Sequence, residues 1–169
     1  EGYYTYLPSV FIYGDFVKEA VKDTNYIRPY KDTQKIYSKY TCGVAMLEMP
    51  FFLISHVVAG LKGENQDGKS PIYGRGLAFA GLFYLWVGMF FLYKLGIRYY
   101  EKKWVILSIL SILLGTNLYY YTFFQPAMSH VFSFGIISIF LYITDTKKKK
   151  NKRVNNPLTT WMIYGFVIG

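Results

Sequence analysis

The chain has 169 residues, 53% of them hydrophobic and 21% aromatic, with 18 Tyr and 14 Phe, and a formal net charge of +9. So many aromatics exceed what soluble domains carry and suit lipid-facing helices with aromatic belts. A mean hydropathy of only +0.18 means that polar loops alternate with the apolar stretches. The charge is not spread as a nucleic-acid surface requires. Six of the nineteen basic residues stand in one run, Lys147 to Arg153, directly after an apolar segment. That is the positive-inside signature, and no nucleic acid is expected as a partner. The run also suits anionic lipid headgroups, so membrane lipids are expected partners. The single cysteine, Cys42, rules out an intramolecular disulfide and a cysteine-based metal cluster.

Residues 1–16 read EGYYTYLPSVFIYGDF. Tyr3 to Phe16 is compatible with a short interfacial helix that has Pro8 near its start, and Asp15–Lys22 continues the helical spacing. The opening Glu1-Gly2-Tyr3-Tyr4 resembles the start of the first extracytoplasmic loop in the GT-C superfamily of polyprenyl-phosphate-sugar-dependent glycosyltransferases. In the protein O-mannosyltransferase and aminoarabinose transferase branch, that loop begins with an Asp-Glu pair, a small residue and aromatics. The resemblance implies that the first acid of the pair, the residue the family uses for catalysis, lies upstream of Glu1 and outside this chain. With no initiator methionine at the start, it predicts an N-terminal part of a longer protein that is inactive alone.

The same resemblance implies a catalytic carboxylate at the membrane surface, and Glu1 is the candidate within this chain. In the family the acidic pair acts together, and its first carboxylate takes the proton from the acceptor as it attacks the anomeric carbon, provided its surroundings suit it to general-base work. Tyr3 and Tyr4 are the accompanying substrate-binding candidates. The donor implied is a polyprenyl-phosphate sugar. The acceptor, whether protein, lipid or glycan, is left open. No cofactor is required by the resemblance, although a divalent metal is compatible with it.

Residues 23–39 form a loop by composition, with no sustained strand pattern. Such a loop is either an exposed connector or a cover over a membrane active site. Arg28 and Lys39 are suited to neutralising phosphate, against the ordinary reading of solvated loop charge. Lys39-Tyr40-Thr41-Cys42-Gly43 stands where the family has a Lys-Pro-Pro-Leu-like turn, without the double proline.

Residues 43–61 are long and apolar enough to span a membrane. Glu48, Pro50 and His56 interrupt the run, and a charged group inside lipid is expensive. The family places a pseudo-transmembrane juxtamembrane helix here. The expectation is therefore a helix along the outer surface, with Glu48 and His56 kept in water or headgroups and Leu47, Phe51, Leu53, Ile54 and Val58 facing the apolar boundary. Glu48 and His56 are too far apart to chelate one ion without a third ligand.

Residues 72–97 form a transmembrane helix with small residues on it, 104–121 a second, and 127–144 a third. Asn156-Pro157 starts another helix with a cap and a first-turn proline. With Lys147–Arg153 cytoplasmic, counting back makes the 98–103 loop cytoplasmic and the 62–71 and 122–130 loops extracytoplasmic. Within the latter, Gln125, Ser129 and His130 are candidate substrate-binding residues, with His130 suited to a lipid phosphate. Ser129 also reads as a helix cap. Many relatives have an acid near this place, and its absence here weighs against a metal site.

The fold class expected is all-α: a polytopic helical membrane protein, GT-C-like, with residues 1–61 as the first extracytoplasmic loop and 62–169 as the helix bundle. The function expected is sugar transfer on the outer face of a bacterial inner membrane. The alternatives are a non-enzymatic polytopic protein, such as a transporter subunit or assembly factor, and another lipid-linked-sugar enzyme such as an antigen ligase.

Overall fold

The computed structural model describes residues 2–14, 27–29 and 36–150. The chain is mostly helical. A short α1 (Tyr6–Pro8) continues without interruption into a π-helical turn, Ser9–Tyr13. Gly14 ends it at φ 64°, the left-handed conformation that glycine adopts without a Cβ penalty. Two three-residue strands follow, β1 (Ile27–Pro29) and β2 (Ile36–Ser38), paired antiparallel with Arg28 opposite Tyr37. They lie within the stretch 23–39 that reads as a loop by composition, of which 23–26 and 30–35 lie outside the described residues. Three residues are too few for an alternating pattern to be legible in the sequence. Asp15–Lys22 and the helix expected from Asn156 lie outside the described residues.

The main helices are α2 (Gly43–Lys62), α3 (Pro71–Gly96), α4 (Lys102–Gly115), α5 (Leu118–Phe123) and α6 (Ser129–Lys150). Three stretches, Gly43–Lys62, Pro71–Gly96 and Ser129–Thr146, are long and apolar enough to cross a membrane. The single helix expected over 104–121 is instead two. Thr116 leaves the helix at ψ 170°. Its hydroxyl donates to the Ile112 carbonyl at 2.7 Å and accepts the Leu118 N–H at 3.2 Å. A threonine that offers the backbone these partners makes a break inexpensive.

By its contacts the chain forms two compact units. One comprises residues 1–81 together with 125–129, the other 82–124 and 130–169. The division falls inside α3, whereas the expected boundary at 61/62 was topological.

In the first unit, the buried face of α2 carries Ala45, Glu48, Phe52, Ser55 and Ala59, at alternating spacings of three and four. Leu7, Ile72 and Tyr73 complete the core around it. The opposite face, with Met46, Met49, Leu53, Ile54, Val57 and Leu61, is exposed and wholly apolar. Polar groups inside and apolar ones outside is the arrangement of a helix against lipid. Where α2 meets α3, a Cβ on Gly76 would run into Ser55 Oγ and come within 3.2 Å of the Phe51 carbonyl, so glycine sets the approach.

In the second unit, α3 and α6 run parallel. Tyr84 packs on Phe132, Phe91 on Tyr142, and Arg98 reaches Asp145, so the offset between partners stays nearly constant along the pair. Gly88 faces Phe134, and Gly135 faces the Tyr84 carbonyl. Two small residues let the helices approach closely, which is how packing holds helices where both lipid and core are apolar. At one end Arg98 bonds Asp145 at 2.5 Å and Thr146 at 2.9 Å, and its guanidinium lies 4.3 Å from the Tyr142 ring centroid. Tyr99 also donates to Asp145. Since α3 and α6 are parallel, the 98–103 loop and the lysines at the C-terminal end of α6 share this end.

Candidate functional site

The N-terminal turn is held by tyrosine hydroxyls. Tyr4 donates to the Gly68 carbonyl at 2.6 Å, Tyr13 to that of Asp67 at 2.9 Å, and Tyr6 to that of Tyr40 at 2.5 Å. Tyr3 packs on Tyr40 with ring centroids 4.6 Å apart. One short strap is thus fastened both to the chain just before α2 and to the chain just after it. Below it Tyr4 and Phe11 meet Phe52 at 5.8 and 6.0 Å, and Phe52 meets Tyr73 at 5.3 Å. His56 Nδ1 and the Tyr73 hydroxyl share a hydrogen bond of 2.7 Å.

The anchoring turn is rigid for a reason legible in its sequence. Asp67 Oδ1 accepts the backbone N–H groups of Lys69 and Ser70 at 2.8 and 2.9 Å. The Lys69 bond, helped by that of Ser70, holds the Asp67 carboxyl below its ordinary value against the opposing effect of burial. Gly68 sits at φ 74°, and a Cβ there would lie 2.8 Å from Pro8.

Beneath the strap lies the least expected group. Glu48 is fully buried at 0% exposure, and neither carboxyl oxygen has a hydrogen-bond partner among the described residues. The four other buried polar side chains among the described residues, Ser9, Ser55, Thr122 and Ser138, each return their hydroxyl to the carbonyl four residues back. Glu48 is too long and wrongly shaped for that solution. The expectation that Glu48 sits in water or headgroups is therefore corrected: the N-terminal strap and its partners close over this face of α2. Leu53 and Ile54 do face outward as expected, while Leu47, Phe51 and Val58 are half-buried.

Of the residues singled out in the sequence, Tyr3, Tyr4 and Lys39 gather around Tyr40 and Gly68, with Lys39 exposed and its Nζ 5.9 Å from the Tyr40 ring centroid. Gln125 and Ser129 belong to the same compact unit. His130 belongs to the other unit, is exposed, and stacks on Tyr121 at 3.9 Å. Glu1 and the side chain of Arg28 lie outside what the structure describes. Among the described residues no three His, Cys, Asp or Glu gather as a metal site would need. Sequence reasoning missed Tyr6, Tyr13 and Asp67. The spacing of four tyrosines in thirteen residues was the signal available. No family model, curated protein or solved structure matches this chain.

Proposed function

We propose that the chain is part of a GT-C-type integral membrane glycosyltransferase that moves a sugar from a polyprenyl-phosphate donor to an acceptor on the extracytoplasmic face. The observation that supports it is the tyrosine strap. Tyr4 and Tyr6 stand two residues apart in a helical turn, about 6 Å between Cα atoms. They hold Gly68 and Tyr40 respectively. If α2 crossed the membrane, those two anchors would lie on opposite sides of a hydrocarbon core about 30 Å thick. Two tyrosine side chains cannot bridge that. An α2 lying along the surface, its apolar face to lipid and its Glu48 face under the strap, satisfies both bonds. It also leaves Tyr3, Tyr4 and Lys39 on the side where the donor phosphate would arrive, in one unit with Gln125 and Ser129.

In this reading Glu1 belongs to the catalytic acid pair, Lys39 meets phosphate, and Tyr3 and Tyr4 offer ring faces to the sugar while the Tyr4 hydroxyl stays on the Gly68 carbonyl. The test is transfer of label from polyprenyl-phosphate mannose and polyprenyl-phosphate aminoarabinose in membranes carrying the full-length protein. Donor-dependent transfer that Glu1→Gln abolishes is the expected result. Transfer unaffected by Glu1→Gln overturns the assignment.

One observation favours a second reading. A carboxyl group without partners in a long apolar helix is also how transporters carry a proton or cation. That reading needs α2 to cross the membrane, so the topology experiment argued at the close of the Discussion separates the two.

A further inference from the structure

The α3–α4 hairpin is tight where Gly96 meets Val105. A Cβ on Gly96 would lie 2.7 Å from Val105, the buried residue of α4. From that contact a groove of about 280 Å³ runs between the helices, lined by Leu92, Tyr100, Trp104, Ser108 and Ile112 among others. The lining is apolar apart from Ser108 and the Tyr100 hydroxyl. Trp104 and Ile112 are two turns apart on α4, so the groove is elongated along the helix. Its mouth lies at Tyr100 and Trp104, which are 71% and 57% exposed.

The mouth is basic. Lys102 and Lys103 adjoin Trp104 and are exposed. Lys103 meets Glu101 at 3.0 Å, but both side chains are about 70% exposed, and such a pair contributes little. Arg98 is committed to Asp145 and Tyr142. An apolar slot capped by an indole and two lysines has the order of a lipid: tail, interface, phosphate. A second copy of this chain is a poor occupant. It would stand in the membrane the same way round and bring its own lysines to the same level.

We propose that this groove is a binding site for an anionic phospholipid, with one acyl chain along α4 between Leu92 and Ile112 and the phosphate at Lys102 and Lys103. The site lies wholly within the second unit and stands whether or not the chain is a glycosyltransferase.

Trp104 reports on it directly. With Trp86→Phe and Trp161→Phe, it is the only tryptophan left. The full chain in vesicles is titrated with phosphatidylglycerol brominated on its acyl chains, and separately with brominated phosphatidylcholine. Phosphatidylglycerol is expected to quench Trp104 at a severalfold lower mole fraction. Lys102→Gln with Lys103→Gln should erase the preference. Ser108→Phe, which fills the slot, should weaken quenching by both lipids, with circular dichroism confirming an unchanged helix content. Equal quenching by the two lipids overturns the proposal, as does a preference that survives the double lysine substitution. Weak quenching by either lipid, with the chain cross-linking as a dimer through position 108, also overturns it by naming protein as the occupant.

Discussion

Ser55 and Glu48 share the buried face of α2, yet only Ser55 finds an acceptor within its own helix. A buried polar group without a partner costs roughly 1–3 kcal/mol. Replacing it by an apolar group of similar volume recovers that cost. Glu48→Leu is therefore expected to stabilise the protein by about 1–3 kcal/mol in denaturant titration in detergent micelles. Retention of so costly a group implies a task for it. The same variant is expected to lose transport in the second reading while keeping its helix content. A loss of stability would mean that Glu48 has a partner in the membrane. Asp67 behaves oppositely. Its carboxyl is held below its usual value by the Lys69 and Ser70 amides, so the turn gains stability above the ordinary carboxylate range, about pH 4. That gain is lost as the pH falls through the lowered folded-state value. The protection factors of the Lys69 and Ser70 amides, taken against the intrinsic exchange rate at each pH, should fall on acidification across that range and stay level above it. Asp67→Asn should remove the pH dependence.

Among elements, the long helices were legible because each is a run of apolar residues closed by polar ones, and α2, α3 and α6 fall within a few residues of the stretches read from sequence. The break at Thr116 was not, since Gly115-Thr116-Asn117 tips a local balance that hydropathy does not register. The direction of α2's polar face was half legible: the periodicity put Glu48, Phe52 and Ser55 together but could not say what would cover them. The cover is α1 and its π-helical turn, and it is joined by hydroxyl-to-carbonyl bonds across 34 to 64 residues of chain, which no local pattern encodes. The pairing of α3 with α6 rests on small residues, and it yields a prediction. Gly88 faces Phe134 so closely that a side chain must displace the ring. Gly88→Leu is expected to destabilise the second unit by about 1–3 kcal/mol, the usual cost of overpacking. Gly74→Leu, at an exposed position with nothing within 4 Å, is the control that should leave it unchanged. Equal effects at the two positions would show that α3 and α6 do not pack as described.

At the scale of the whole molecule, the question is which side of the membrane the strap occupies, and the chain carries its own reporter. Cys42 is the single cysteine, is exposed, and stands one residue before α2. The basic residues of the 98–103 loop and the C-terminal end of α6 lie at one end of the parallel α3–α6 pair, and the positive-inside rule predicts a cytoplasmic place for that end. The topology proposed for the chain then has the 62–71 loop, with its turn at Asp67 and Gly68, outside. If α2 lies along the surface, Cys42 is outside too; if α2 crosses, Cys42 is inside. A membrane-impermeant maleimide applied to intact cells should label the native protein at Cys42. In a Cys42→Ser background it should label cysteines placed at 30 and 66 but not at 150 until the membrane is opened. Labelling at 66 without labelling at 42 would mean that α2 crosses. The strap could not then hold Tyr40 and Gly68 at once, the glycosyltransferase proposal would fail with it, and buried Glu48 would become the centre of a transport pathway.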